Sequence, residues 1–112
     1  MPLVMLSIEP APGEVVRLVG RLDAAQAPAA QRALDALTGV VTLDCAGLDY
    51  VSSAGLSVLL RTQKRLSTAR GRLRLARLRP HIHDIFVYSG FDQLFEIVAD
   101  AGNSSNFPSA RT

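Results

Sequence analysis

A single cysteine, Cys45, and no tryptophan occur in the 112 residues of this chain. One thiol excludes an intrachain disulfide and fits a reducing compartment. Long apolar runs are missing as well. Pieces such as residues 3–6 and 58–60 fall far short of the roughly 20 residues that cross a bilayer, which predicts no membrane insertion. The amino end has no basic start followed by an apolar stretch and a small-residue cleavage site, so the expected location is cytoplasmic. The lack of a glycine-rich loop with an adjacent Lys argues against nucleotide chemistry of the phosphate-loop type. His81 and His83 are two apart, a spacing that splays them on a helix, and neither a metal nor a cofactor is predicted.

Acidic residues are missing from one long basic stretch. Residues 61–79 hold eight cations (Arg61, Lys64, Arg65, Arg70, Arg72, Arg74, Arg77 and Arg79) and no acid, while each flank is net acidic and the whole chain carries only +2. Nucleic-acid surfaces usually interleave stacking aromatics with such cations, and no Phe, Tyr or Trp lies between Tyr50 and Phe86. The stretch therefore reads as a solvated helix-and-strand face, or as a surface for an acidic protein partner, without direct nucleic-acid contact.

What is present is enough apolar material, 48% of residues, for one compact domain over residues 1–100. From Ala101 onward Gly, Asn, Ser, Pro and Thr dominate, and residues 101–112 are expected to be a disordered tail. Residues 3–8 read as a strand that turns at Pro10, Pro12 and Gly13 into a second, Val15–Leu22. Asp23 stands where a cap belongs ahead of a first helix bearing Ala27, Ala30, Leu34 and Leu37 and closed by Gly39. Residues 40–43 form a compact strand of the kind buried on both faces, with Asp44 and Cys45 at its carboxyl end. After a loop, Leu56, Leu59, Leu60 and Leu66 mark a second helix that points Arg61, Lys64 and Arg65 away from the core. A strand over residues 72–75, a third helix from Pro80 to Gly90 and a short edge strand at Ile97 and Val98 complete the pattern. Strands alternating with helices predict an α/β fold, a mixed sheet with helices packed on it.

The informative stretch runs over residues 44–56 and ends in Val51-Ser52-Ser53-Ala54-Gly55-Leu56. Open α/β sheets place their sites beyond the carboxyl ends of strands, and the first amides of a helix lack internal partners at the positive end of its dipole. A serine there either caps those amides or, if phosphorylated, presents its anion to them. Ala54 and Gly55 leave little bulk beside the hydroxyl, which would open it to another protein. A hydrolase is the rival reading. The nucleophile elbow, however, needs glycine on both sides of the serine, and Val51 occupies the first of those positions. The chain is not expected to be an enzyme.

This run, with Gly20-Arg21-Leu22-Asp23 before the first helix and Ser89-Gly90-Phe91-Asp92-Gln93-Leu94-Phe95 near the end, resembles the STAS-domain anti-sigma factor antagonists over roughly residues 3–99. The resemblance implies a STAS-like single domain, a mixed sheet of four to five strands with three to four helices. It implies a protein that binds an anti-sigma factor with serine kinase activity, releases a sigma factor, and is switched off by phosphorylation and restored by a serine phosphatase. The acceptor carried over is Ser53, with Ser52 as the alternative, because Ser52 stands where the family often has Asp. Asp23, Ser52, Ala54, Gly55 and Leu56 are the implied partner-binding residues. Domains of this kind also serve as accessory subunits of lipid-transport, other transporter or stressosome complexes.

Overall fold

The structure, a computed structural model, describes residues 6–11 and 15–99. Five strands form one sheet in sequence order: β1 (Leu6–Ala11), β2 (Val15–Leu22), β3 (Val40–Val51), β4 (Arg72–Ala76) and β5 (Glu96–Val98). Three helices connect them: α1 (Ala27–Asp35), α2 (Ser53–Thr68) and α3 (Pro80–Ser89), followed by a single 3-10 turn, Phe91–Gln93. The first pair is antiparallel and the remaining three are parallel, which is the expected mixed sheet.

Each β-α-β unit advances one strand in the same direction. Right-handed crossovers therefore stack all three helices on one face of the sheet. That face carries Leu18, Leu22, Leu43, Cys45, Leu73 and Leu75, which share one buried cluster with Leu34 of α1, Leu59 of α2 and Ile82 and Phe86 of α3. Phe95 closes the end of this cluster edge-on against Phe86, with ring centroids 5.4 Å apart.

The other face of the sheet is charged. Cross-strand neighbours Arg17 and Asp44, Thr42 and Arg74, and Arg74 and Glu96 lie in register there. Residues 40–43 thus meet apolar helices on one side and a charged layer on the other. Asp44 is the buried centre of that layer, its side chain only 3% exposed. Its carboxylate accepts two hydrogen bonds from Arg77 and one from the Ala46 amide, with Arg17 at 3.8 Å.

Several boundaries differ from the sequence reading. β1 begins at Leu6, and residues 3–5, like the tail expected over residues 101–112, lie outside the described residues. β3 does not end at Asp44 and Cys45 but continues to Val51, bent by register shifts against β2 between Arg17 and Val19 and between Gly20 and Arg21. Asp23 is not the cap of α1. The residue before that helix is Gln26, which makes no side-chain cap bond, and Asp23 Oδ1 instead accepts the Gln26 amide at 3.1 Å in the preceding turn. Arg65 does not point away from the core: its guanidinium donates to the Leu34 and Leu37 carbonyls at 2.9 and 2.8 Å and closes the open end of α1.

Candidate functional site

The chain reaches the site at the carboxyl end of β3. The Ser52 amide donates to the Leu22 carbonyl at 3.0 Å, tying the ends of β2 and β3 together just before the chain turns into α2. Ser52 has extended backbone, φ −94° and ψ 176°, as a residue preceding a helix does. Its Oγ accepts the Gly55 amide at 3.2 Å, and its carbonyl accepts the Leu56 amide at 2.8 Å. The capping role available to either serine therefore falls to Ser52. Ser53 is the first helical residue and is exposed, and its Oγ has no hydrogen-bond partner among the described residues.

The small residues that follow have separate tasks. Ala54 is half-buried. Gly55 is buried, and a Cβ there would press on the Leu22 carbonyl oxygen, with Leu22 Cγ at 2.8 Å and Val51 Cγ2 at 2.9 Å. Its lack of a side chain lets α2 approach the sheet, so the small residue here serves packing. Leu56, 7% exposed, belongs mainly to the core. Of the residues implied for partner contact, the structure brings Ser52, Ser53, Ala54 and Asp23 to one rim, with Gly55 and Leu56 beneath it. Asp23 directly follows Leu22, whose carbonyl holds Ser52, and its carboxylate lies 3.5 Å from Arg21 Nε.

Two tyrosines border the site, and the serine motif does not include them. The Arg21 guanidinium stacks over the Tyr50 ring, 4.4 Å from its centroid. Tyr88 of α3 is 85% exposed. A groove of about 490 Å³ between the start of α2 and α3 joins them, lined by Tyr50, Ser53, Leu56, Ile85 and Tyr88. The phase of α3 was the available signal: with Ile82 and Phe86 facing the core, residue 88 falls on the outer side.

Chemically, the rim offers an exposed hydroxyl at the positive end of a 16-residue helix, and among the described residues no side chain is hydrogen-bonded to it. His81 Nε2 contacts the Asp49 carbonyl at 2.7 Å instead of a serine. Among the described residues no three His, Cys, Asp or Glu side chains are grouped to hold a metal, and no helix is long and apolar enough to cross a membrane. Burial pushes the Cys45 thiol up to about 12, which leaves it a core residue. The basic stretch is not one patch: Arg65 closes α1, Arg72 lies 3.6 Å from Glu96, Arg74 donates to Thr42, Arg77 holds Asp44, and Arg79 bonds the Ala46 carbonyl and Asp49.

A family model described as Mlab, STAS domain matches residues 7–98. BtrV of Bordetella bronchiseptica, named as an anti-sigma factor antagonist, is 46% identical over 57 residues; the match covers 51% of this chain and about half of that protein, 49%. Three solved structures, of two proteins, share the fold at low identity. A Thermotoga maritima protein named as an anti-sigma factor antagonist superimposes with a TM-score of 0.72 at 16% identity, covering 91% of this chain and 92% of that one. The unphosphorylated form of the anti-sigma factor antagonist SpoIIAA gives 0.63 at 18% identity, covering 89% and 92%. The phosphorylated form of SpoIIAA, from Bacillus, gives 0.61 at 19%, covering 89% and 94%. With the family model matching residues 7–98, from β1 to β5, this chain belongs to the STAS domain family.

Proposed function

We propose that this protein is an anti-sigma factor antagonist of the cytoplasm: unphosphorylated, it binds an anti-sigma factor with serine kinase activity and so releases a sigma factor. Phosphorylation of Ser53 ends that binding, and a serine phosphatase restores it. The observation that carries the reading is the division of labour between the two serines. Ser52 is held by its cap bond to Gly55, while Ser53 stands exposed beside it at the head of α2. A phosphate on Ser53 would add about −1.5 to −2 charge to a rim that a partner must pack against, at a cost in repulsion and desolvation. The relation to BtrV and the existence of SpoIIAA in phosphorylated and unphosphorylated forms support the same assignment.

The test uses the purified protein with a candidate anti-sigma factor kinase and ATP. Intact mass should rise by one phosphate that maps to Ser53, Ser53→Ala should bind the kinase constitutively, and Ser53→Asp should bind at least about tenfold more weakly. Equal affinity of the two variants overturns the switch.

The apolar groove beside α2, lined by Tyr50, Leu56, Ile85 and Tyr88, favours a second reading: an accessory subunit of a lipid-transport or other transporter or stressosome complex. Stable association with an ATPase subunit and no phosphate gain on Ser53 would select it.

A further inference from the structure

Of the eight cations in residues 61–79, the side chains of Arg61, Lys64 and Arg70 have no hydrogen bond or ion pair among the described residues. Arg61 lies eight residues after Ser53 on α2, so Ser53, Ser57 and Arg61 follow one stripe of that helix over about 12 Å. This stripe borders a cleft of about 630 Å³ between α1 and α2, with Ala27, Pro28, Ala54, Ser57 and Val58 in its walls. Arg32 of α1 and Arg61 of α2 also line it, and among the described residues no carboxylate does. The nearest acid on α1, Asp35, is already engaged by Gln31 Nε2 at 3.0 Å and by Arg65 Nε at 3.6 Å. Gln31 lines the cleft too. Its amide nitrogen is bonded to Asp35 and Thr62, while its Oε1 is buried without a hydrogen-bond partner among the described residues.

We infer that the α1–α2 cleft is a docking groove for an acidic segment of a protein partner. Two unpaired guanidiniums at a cleft without a carboxylate, next to the positive end of α2, select a negatively charged occupant. Walls of Ala, Pro and Val give stacked bases no platform, so a nucleic-acid strand fits less well. Ala54 joins this cleft to the serine rim, so a phosphate on Ser53 would stand at the head of the same stripe, attract the cations and repel the docked acid. That last step rests on the proposed phosphorylation of Ser53; the docking itself does not.

The test titrates the isotope-labelled full chain with a synthetic peptide of about twelve residues alternating Glu and Ala, and in parallel with its Gln counterpart and an oligothymidine. The Glu peptide should shift the backbone amides of α1 and of the first half of α2, and the Gln peptide should not. Affinity should fall as salt rises. The Arg32→Glu, Arg61→Glu double variant should weaken binding at least about tenfold, Arg70→Glu should leave it unchanged, and Ser53→Asp should weaken it. An unchanged circular dichroism spectrum and melting temperature show that the double variant is folded. Absence of shifts, equal shifts with the Gln peptide, shifts confined to other surfaces, or equal binding of the oligothymidine overturns the docking groove. Peptide binding that ignores Ser53→Asp overturns the coupling to the serine. No kinase enters this assay, so its outcome is independent of whether Ser53 is phosphorylated.

Discussion

Arg77 grips the buried Asp44 with both ends of its guanidinium, Nε to Oδ1 at 3.0 Å and Nη2 to Oδ2 at 2.6 Å, across 33 residues of sequence. The pair joins β3 to the chain leaving β4 and allows a charged residue to sit inside a strand. These hydrogen bonds hold the Asp44 carboxyl below its ordinary 3.8, although burial acts in the opposite direction. A lowered folded-state value stabilises the fold above the unfolded value, and that stability is lost as pH falls through the folded one. Urea midpoints should therefore drop below about pH 4, and the drop should be smaller in Asp44→Asn. Arg77→Met leaves a buried carboxylate short of partners and should cost about 1–3 kcal/mol at pH 7, read from the same titrations. A midpoint equal to that of the parent would show that Arg17 alone suffices for Asp44.

The two serines at the head of α2 should separate in stability as they do in geometry. Ser52→Ala removes the acceptor of the Gly55 amide and should cost about 1 kcal/mol. Ser53→Ala removes an exposed hydroxyl without a partner and should stay within about 0.5 kcal/mol of the parent. Chemical denaturation of both variants checks this, and a larger loss for Ser53→Ala would mean that Ser53 is the structural serine.

Much of the scaffold was legible because it follows local rules. β2 has the expected bounds, Pro80 opens α3, and Gly90, at φ 80°, closes it in the left-handed conformation that suits glycine. The strand expected over residues 72–75 ends one residue later, at Ala76, where Arg77 follows at φ 58°. Less legible were features that depend on partners distant in sequence. Residues 46–50 look like a loop by composition, and they remain in β3 because β2 pairs with them and Arg77 and Arg79 bond Asp44, the Ala46 carbonyl and Asp49. Arg65 has the spacing of a solvent-facing residue, yet α1 packs close enough to recruit it. The serine rim was visible as a motif. Which serine caps and which stays exposed is decided by backbone geometry at one residue.

Gly55 shows how closely packing and the serine rim are connected. Alanine favours helix by about 1 kcal/mol over glycine, so helix propensity alone predicts that Gly55→Ala stabilises the protein. The added Cβ would instead meet the Leu22 carbonyl and the Leu22 and Val51 side chains, and a backbone oxygen cannot rotate aside. Overpacking of this kind costs about 1–3 kcal/mol, so the net effect should be destabilising. Relief requires α2 to move off the sheet, and the first bond to lengthen should be the one from the Ser52 amide to Leu22. Amide exchange at Ser52 should therefore accelerate in Gly55→Ala more than exchange along β4. Uniform acceleration would mean that the strain spreads through the whole core, and a stabilised variant would mean that Leu22 yields.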